Sequence, residues 1–263
     1  MAIVWPMRFA ASLVAVMVGI LAAGAARAGE TKCWFEHGAL VVPAAFADIA
    51  GDFILDLSAP HSQLHETMAL AHGIEAATPR GDLALAGVTI SDFPMQVENL
   101  DARSQPFVTS IAGVLGADIA RRFVIEIDFS PCRVMLRHRV ARLRSRVASL
   151  PVRWVGGVPA VQASICDNHR CESGFFAIDT ASQGVRLSGA ELSRRPAGVD
   201  AASRSDPPAR LRALSVGDQL FEQTPAGLMD PNPPGLAGTI GDAIWSQYHL
   251  ILDARNGRLE LAP

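Results

Sequence analysis

Short apolar runs interrupted by polar and turn-forming residues recur along this chain, and their length and spacing predict strands. DFILDL (52–57), FVIEIDF (123–129), CRVMLR (132–137), FFAIDT (175–180) and YHLILD (248–253) are separated by stretches containing Gly, Pro, Asn and Asp. Asn256-Gly257 between two apolar runs is a hairpin signal, and Ser130-Pro131 occupies the corresponding turn earlier in the chain. Helical spacing is confined to 62–74, 117–123 and 242–248. The pattern therefore predicts an all-β chain with a few short helices.

The pattern is written twice. AGVLGADIARRFVIEIDFSPCRVML (112–136) aligns without a gap on AGTIGDAIWSQYHLILDARNGRLEL (237–261), with seven identities in 25 positions at an offset of 125. Upstream, GDFILDLSAPHSQL (51–64) aligns on SGFFAIDTASQGVRL (173–187), which sets Asp56 opposite Asp179 at an offset of 123. A Val-Pro pair also recurs, at Val42-Pro43 and Val158-Pro159. Each half thus reads as strand, turn, Asp-bearing loop, variable middle, Gly-x-(Leu/Ile)-Gly, short helix and strand pair. The halves are assigned to 29–145 and 146–263.

The stretch 1–28 carries Arg8, an apolar run over 9–26 and small residues at Ala26 and Ala28, the pattern of a secretory signal cleaved after Ala28. An uncleaved anchor is the alternative, because the apolar run nearly reaches spanning length. Cleavage removes Arg8 and Arg27 from 23 basic residues and none of 26 acidic ones, taking the formal charge from −3 to −5. That balance argues against nucleic acid as a partner. Cleavage also leaves no membrane span and implies a periplasmic or secreted protein, where disulfides persist. Cys166 and Cys171 enclose four residues between apolar runs and are expected to clasp a hairpin, which leaves Cys33 to pair with Cys132. No redox or zinc spacing is present, so neither a metal nor another cofactor is expected.

One aspartate per duplicated half, each at the end of an apolar strand, can bring two carboxylates together on a pseudo-two-fold axis. Such a pair shares a proton, because two adjacent like charges do not both ionise easily. It can then activate a water with one member and protonate an amide carbonyl with the other. FFAIDTAS with GLAGTIGDAIW, and FILDLSA with IAGVLGADIARRF, resemble the pepsin and retropepsin clan of aspartic proteases over essentially the whole chain after residue 28. The resemblance is greatest to bacterial retropepsin-like proteins with two lobes in one chain. It implies two pseudo-symmetric retropepsin-like lobes, Asp56 and Asp179 as the catalytic dyad, and Val114-Leu115-Gly116 and Thr239-Ile240-Gly241 as the segments behind them. It implies a peptide or protein substrate and a pseudo-dimeric monomer.

The triplets depart from the clan's Asp-Thr/Ser-Gly. They read Asp56-Leu57-Ser58 and Asp179-Thr180-Ala181. Leu57 has no hydroxyl for the interlock between loops that the clan uses, and Ser58 and Ala181 carry a Cβ where the clan has Gly. An exported aspartic endopeptidase is the leading reading, and a catalytically impaired peptide-binding protein the alternative. A glycine-containing hairpin over 78–93 is the candidate cleft cover, with 209–221 as its counterpart. Asp128 and Asp253 read as turn residues. His61, His65, Glu66 and His72 lack the second His of a zinc-protease helix and read as surface residues. The five arginines over 137–146 read as a solvated connector.

Overall fold

The computed structural model describes residues 29–140, 148–166, 171–188, 209–229 and 234–263. The expected leader 1–28, residues 141–147 of the arginine-rich stretch and most of the Pro/Ala/Ser-rich stretch 194–210 lie outside them.

Alternating burial along the apolar runs folds the first half into an eight-stranded sheet. Its order is Val88–Pro94, Arg80–Leu85, Ala39–Phe46, Ile49–Leu55, Ile111–Leu115, Gln63–His65 and Gln96–Glu98, with Trp34–Glu36 added on Ala39–Phe46. In the second half Val158–Cys166, Cys171–Ile178, Gly238–Ile240, Val185–Ser188, Gln219–Met229 and Ala209–Val216 pair in turn. The last strand returns to the first, so the ring closes and leaves no edge among these strands. Phe53, Leu55 and Leu57 on one side, and Phe176, Ile178 and Trp245 on the other, are fully buried. Each such side chain contributes about 1.5–3 kcal/mol by leaving water.

The halves meet in six strands ordered Glu30–Lys32, Cys132–Arg137, Val124–Phe129, His249–Asp253, Arg258–Ala262 and Ala148–Val155, the last of which pairs on with Val158–Cys166 so that they form one 12-stranded sheet with the second-half ring. At the centre of the six, Ile125 faces Leu252, Glu126 faces Ile251 and Ile127 faces Leu250, antiparallel. With the repeat offset of 125, Glu126 thus faces its own counterpart and its neighbours exchange partners symmetrically. This is the self-complementary contact of a two-fold dimer, made within one chain.

Both expected disulfides are formed. Cys166 and Cys171 face each other across an antiparallel strand pair, and Cys33–Cys132 closes a separation of 99 residues. The helices are shorter than the sequence pattern suggests: Glu66–Ala71, a 3-10 turn Ala117–Arg121 and Asp242–Trp245. The first loses its leading turn because Gln63–His65 is drawn into strand pairing with Gln96–Glu98. A fourth helix, Asp101–Ser104, has no counterpart among the expected ones. The Val-Pro pairs do not mark equivalent sites. Val41 faces Ile54 and Ala160 faces Ala177, each two residues before an aspartate, so Pro159 corresponds to Leu40 and not to Pro43. Among the described residues no helix is long and apolar enough to cross a membrane.

Candidate active site

Each aspartate leaves the end of a buried strand and is backed by a parallel one. Phe53, Ile54 and Leu55 lie beside Gly113, Val114 and Leu115, while Phe176, Ala177 and Ile178 lie beside Gly238, Thr239 and Ile240. The next backbone bonds match as well. Asp56 N–H donates to Leu115 O and Asp179 N–H to Ile240 O, both at 2.9 Å. The glycines that follow are required by close approach. A Cβ on Gly116 would lie 2.6 Å from the His61 carbonyl, and one on Gly241 would lie 2.3 Å from Ser182 O.

The two carboxylates line one cavity of about 400 Å³ between the lobes, together with Ser58 and Ala181. Both are almost fully buried. Ser58 N–H and Ala181 N–H donate to Oδ1 of their respective aspartates at the same 2.8 Å, so a Cβ at the third position leaves that bond intact. Ser58 Oγ adds a second bond to Asp56 Oδ1 at 2.6 Å. The loops are tied by a single hydroxyl. Thr180 Oγ1 donates to Leu55 O at 2.7 Å and accepts from Leu57 N–H at 3.1 Å. The reciprocal pair is missing because Leu57 turns its side chain into the core with no exposure.

The outer oxygens distinguish the two. Asp179 Oδ2 accepts from Ser182 Oγ at 2.6 Å and Thr239 Oγ1 at 2.9 Å. Asp56 Oδ2 instead forms an ion pair with Arg103 Nη2. Burial opposes ionisation of Asp56, but the Arg103 charge and the bonds from Ser58 and Arg103 prevail and hold its carboxyl below the usual range. Burial, and then the charge of Asp56, push Asp179 up despite its hydroxyl partners. The opposed directions make Asp179 the more readily protonated member of the pair.

Thr239 lies in a segment the repeat already singles out, but three further groups escape a reading by repeat and motif. Ser182 follows the Asp179-Thr180-Ala181 triplet directly, and its hydroxyl is the available signal. Arg103 falls in the variable middle between the aligned blocks, where no pattern marks it. Asp242 occupies the repeat position of Ala117, and an acid at an otherwise apolar position is its signature. It is buried, and neither carboxylate oxygen has a hydrogen-bond partner among the described residues.

The cover of the cleft also differs from expectation. None of 78–93 lines the cavity; the wall comes from Arg103, Pro106 and Phe107. This segment is fixed at both ends. Glu36 accepts from Thr109 Oγ1 at 2.7 Å and Thr109 N–H at 3.3 Å, and His65 Nε2 lies 3.4 Å from Asp101 Oδ1 and from Ser104 Oγ. His65, expected at the surface, is thus buried beneath the helix. Asp128 and Asp253 lie at the expected turns, accepting from Ser130 N–H and Asn256 N–H at 3.3 Å. Among the described residues no three His, Cys, Asp or Glu side chains converge on a point where an ion could be held.

No protein-family model matches the chain, and no curated protein does. The chain is similar in structure to the crystal structure of an aspartic proteinase from Irpex lacteus, with a TM-score of 0.56 and 11% identity over 89% of this chain and 96% of that one. At that identity the likeness is one of fold. The strand order, the two lobes and the parallel strands behind each aspartate together give this chain a two-lobed, all-β, pepsin-like fold.

Proposed function

We propose that this protein is an exported aspartic endopeptidase in which Asp56 and Asp179 act as a dyad on a peptide held in the cleft between the lobes. The observation that carries this reading is that two repeat-related carboxylates open onto one cavity, each with a matched backbone donor at 2.8 Å. Ionised Asp56 takes a proton from a water as its oxygen bonds to the peptide carbonyl carbon, and protonated Asp179 donates to the carbonyl oxygen. The tetrahedral intermediate then expels the amine as the carbon–nitrogen bond breaks, the amine taking up the proton held by Asp56 while a hydroxyl of the intermediate returns one to Asp179 as the product carboxyl forms. Activity should rise as pH climbs through the lowered Asp56 pKa and fall as it passes through the raised Asp179 one.

The test is cleavage of a mixed peptide library across pH by the wild type, Asp56→Asn and Asp179→Asn, with and without a peptide carrying a tetrahedral hydroxyl in place of the scissile carbonyl. Each substitution should lower turnover at least about a thousandfold, and the hydroxyl peptide should inhibit the wild type. Equal turnover by the three proteins would remove the dyad. The ion pair between Arg103 and Asp56 favours a second reading, a peptide-binding protein in which Asp56 is too weak a base to turn substrate over. That reading expects peptide binding without cleavage at any pH.

A further inference from the structure

The donors and acceptors around the cleft do not balance. Asp56 already accepts three bonds, from Ser58 and Arg103, and Asp179 three, from Ala181, Ser182 and Thr239, which leaves about one acceptor site on each carboxylate. The floor, for all its acidity, offers a ligand few free acceptors. The unused hydrogen-bonding capacity is cationic. Arg103 spends one nitrogen on Asp56, which leaves the Nε and Nη1 edge of its guanidinium without a partner among the described residues. Arg186, in the strand Val185–Ser188, is exposed and has no ion-pair or hydrogen-bond partner there at all.

Position makes this more than a solvated surface charge. Arg186 lines the dyad cavity and also a second cavity of about 340 Å³, which shares His37 and Ala181 with the first. It therefore stands where the two cavities adjoin. Arg103 is held in place before any ligand arrives, because Glu36 and His65 fix the segment that carries it. A guanidinium ordered in advance loses little freedom when it binds. With Asp56 paired to Arg103, the other acid lining the cavity is Asp179, whose oxygens are already engaged by Ala181, Ser182 and Thr239 and make no ion pair with Arg186.

We propose that the groove selects peptides bearing a carboxylate close to the bound carbonyl, with Arg103 and Arg186 as the residues that recognise it. This rests on the groove being a peptide site, as in the endopeptidase reading, but does not require hydrolysis. A side-chain carboxylate and a chain-terminal one present the same chemistry, and the experiment separates them.

The probes are fluorescein-labelled octapeptides of alanine around a central Leu-Phe. A single Glu is walked through the sequence, each peptide has a Gln twin, and each is made as C-terminal acid and amide. Binding to the full chain is read by anisotropy at low and moderate ionic strength, and cleavage of the same peptides is followed in parallel. At one or more positions the Glu peptide should bind about five-fold or more tightly than its Gln twin, with the gap narrowing as salt rises. Arg186→Gln and Arg103→Gln should each reduce that ratio towards one, and the Lys substitutions should retain part of it. A preference that follows the free C-terminus identifies the terminal carboxylate as the group read, and one that follows Glu identifies the side chain. Equal binding of Glu and Gln twins in both the acid and the amide series, with acid and amide also alike, overturns the proposal. So does a preference that survives both Arg→Gln substitutions, or no binding by any peptide. Cleavage without acidic preference rejects this inference and leaves the dyad in place, whereas acidic preference without cleavage does the reverse.

Discussion

Asp242 is the buried group with the least support. Its carboxyl is pushed up to about 8, first by burial and then by the charges of Asp179 and Asp56. A carboxyl raised in the fold leaves stability undiminished below its unfolded value of 3.8 and erodes it as pH climbs towards the folded one. Asp242→Asn resembles the protonated acid in shape and cannot ionise. It should match the wild type near pH 4 and exceed it by a growing margin up to about pH 8, at no more than roughly 1.4 kcal/mol per pH unit, then level off. Urea midpoints measured at several pH values check this, and a constant difference across the range would contradict it. Asp56 has the opposite sign. With its pKa lowered mainly by Arg103 against the cost of burial, its contribution is complete at neutral pH and disappears as pH falls through the folded value.

At the scale of elements, the parallel strand behind each aspartate is what fixes the loop, and its closing glycine is where that support is tightest. A Cβ on Gly241 would meet backbone oxygens at 2.3 and 2.6 Å, and backbone cannot be swung aside as a side-chain tip can. Gly241→Ala should cost about 3 kcal/mol by urea denaturation. Gly73 is the control: its φ is +70° but nothing lies within 4 Å, so Gly73→Ala should cost only about 1 kcal/mol of backbone strain. The strands and both glycine segments were legible because the period-two pattern and the gapless repeat point the same way. The helices were less so. Residues 62–65 have helical spacing, yet Gln63–His65 gains more from joining a sheet whose partners lie about 30 and 50 residues away.

The whole molecule is two lobes joined by a shared sheet and pinned by two bridges of unequal reach. Cys33–Cys132 constrains 99 residues and Cys166–Cys171 five. If loss of chain entropy in the unfolded state dominates, Cys33→Ala with Cys132→Ala should cost roughly 4–5 kcal/mol and the Cys166/Cys171 double substitution roughly 2 kcal/mol. Thermal unfolding of the two double variants in oxidising buffer measures the difference, and equal losses would show that local strain or packing governs instead. The architecture and the pairing of the two aspartates were legible in the sequence because duplication writes long-range proximity as a nearly repeated offset, 123 at the aspartates and 125 at the glycine segments. Arg103 could not, since its meeting with Asp56 across 47 residues of unrepeated chain leaves no periodic trace.

The self-facing pair Glu126 and Ile251 shows what fusion of the halves permits. Were two separate identical copies joined at that contact, every change near the axis would occur twice and the site would look the same from either side. In one chain Leu57 stands across from Thr180, and Arg103 attends Asp56 without a twin on Asp179 among the described residues. The groove has thereby acquired a front and a back, and if it holds a peptide, as proposed above, a strand laid along it would meet different groups according to its direction, so that the protein could dictate the orientation of its ligand.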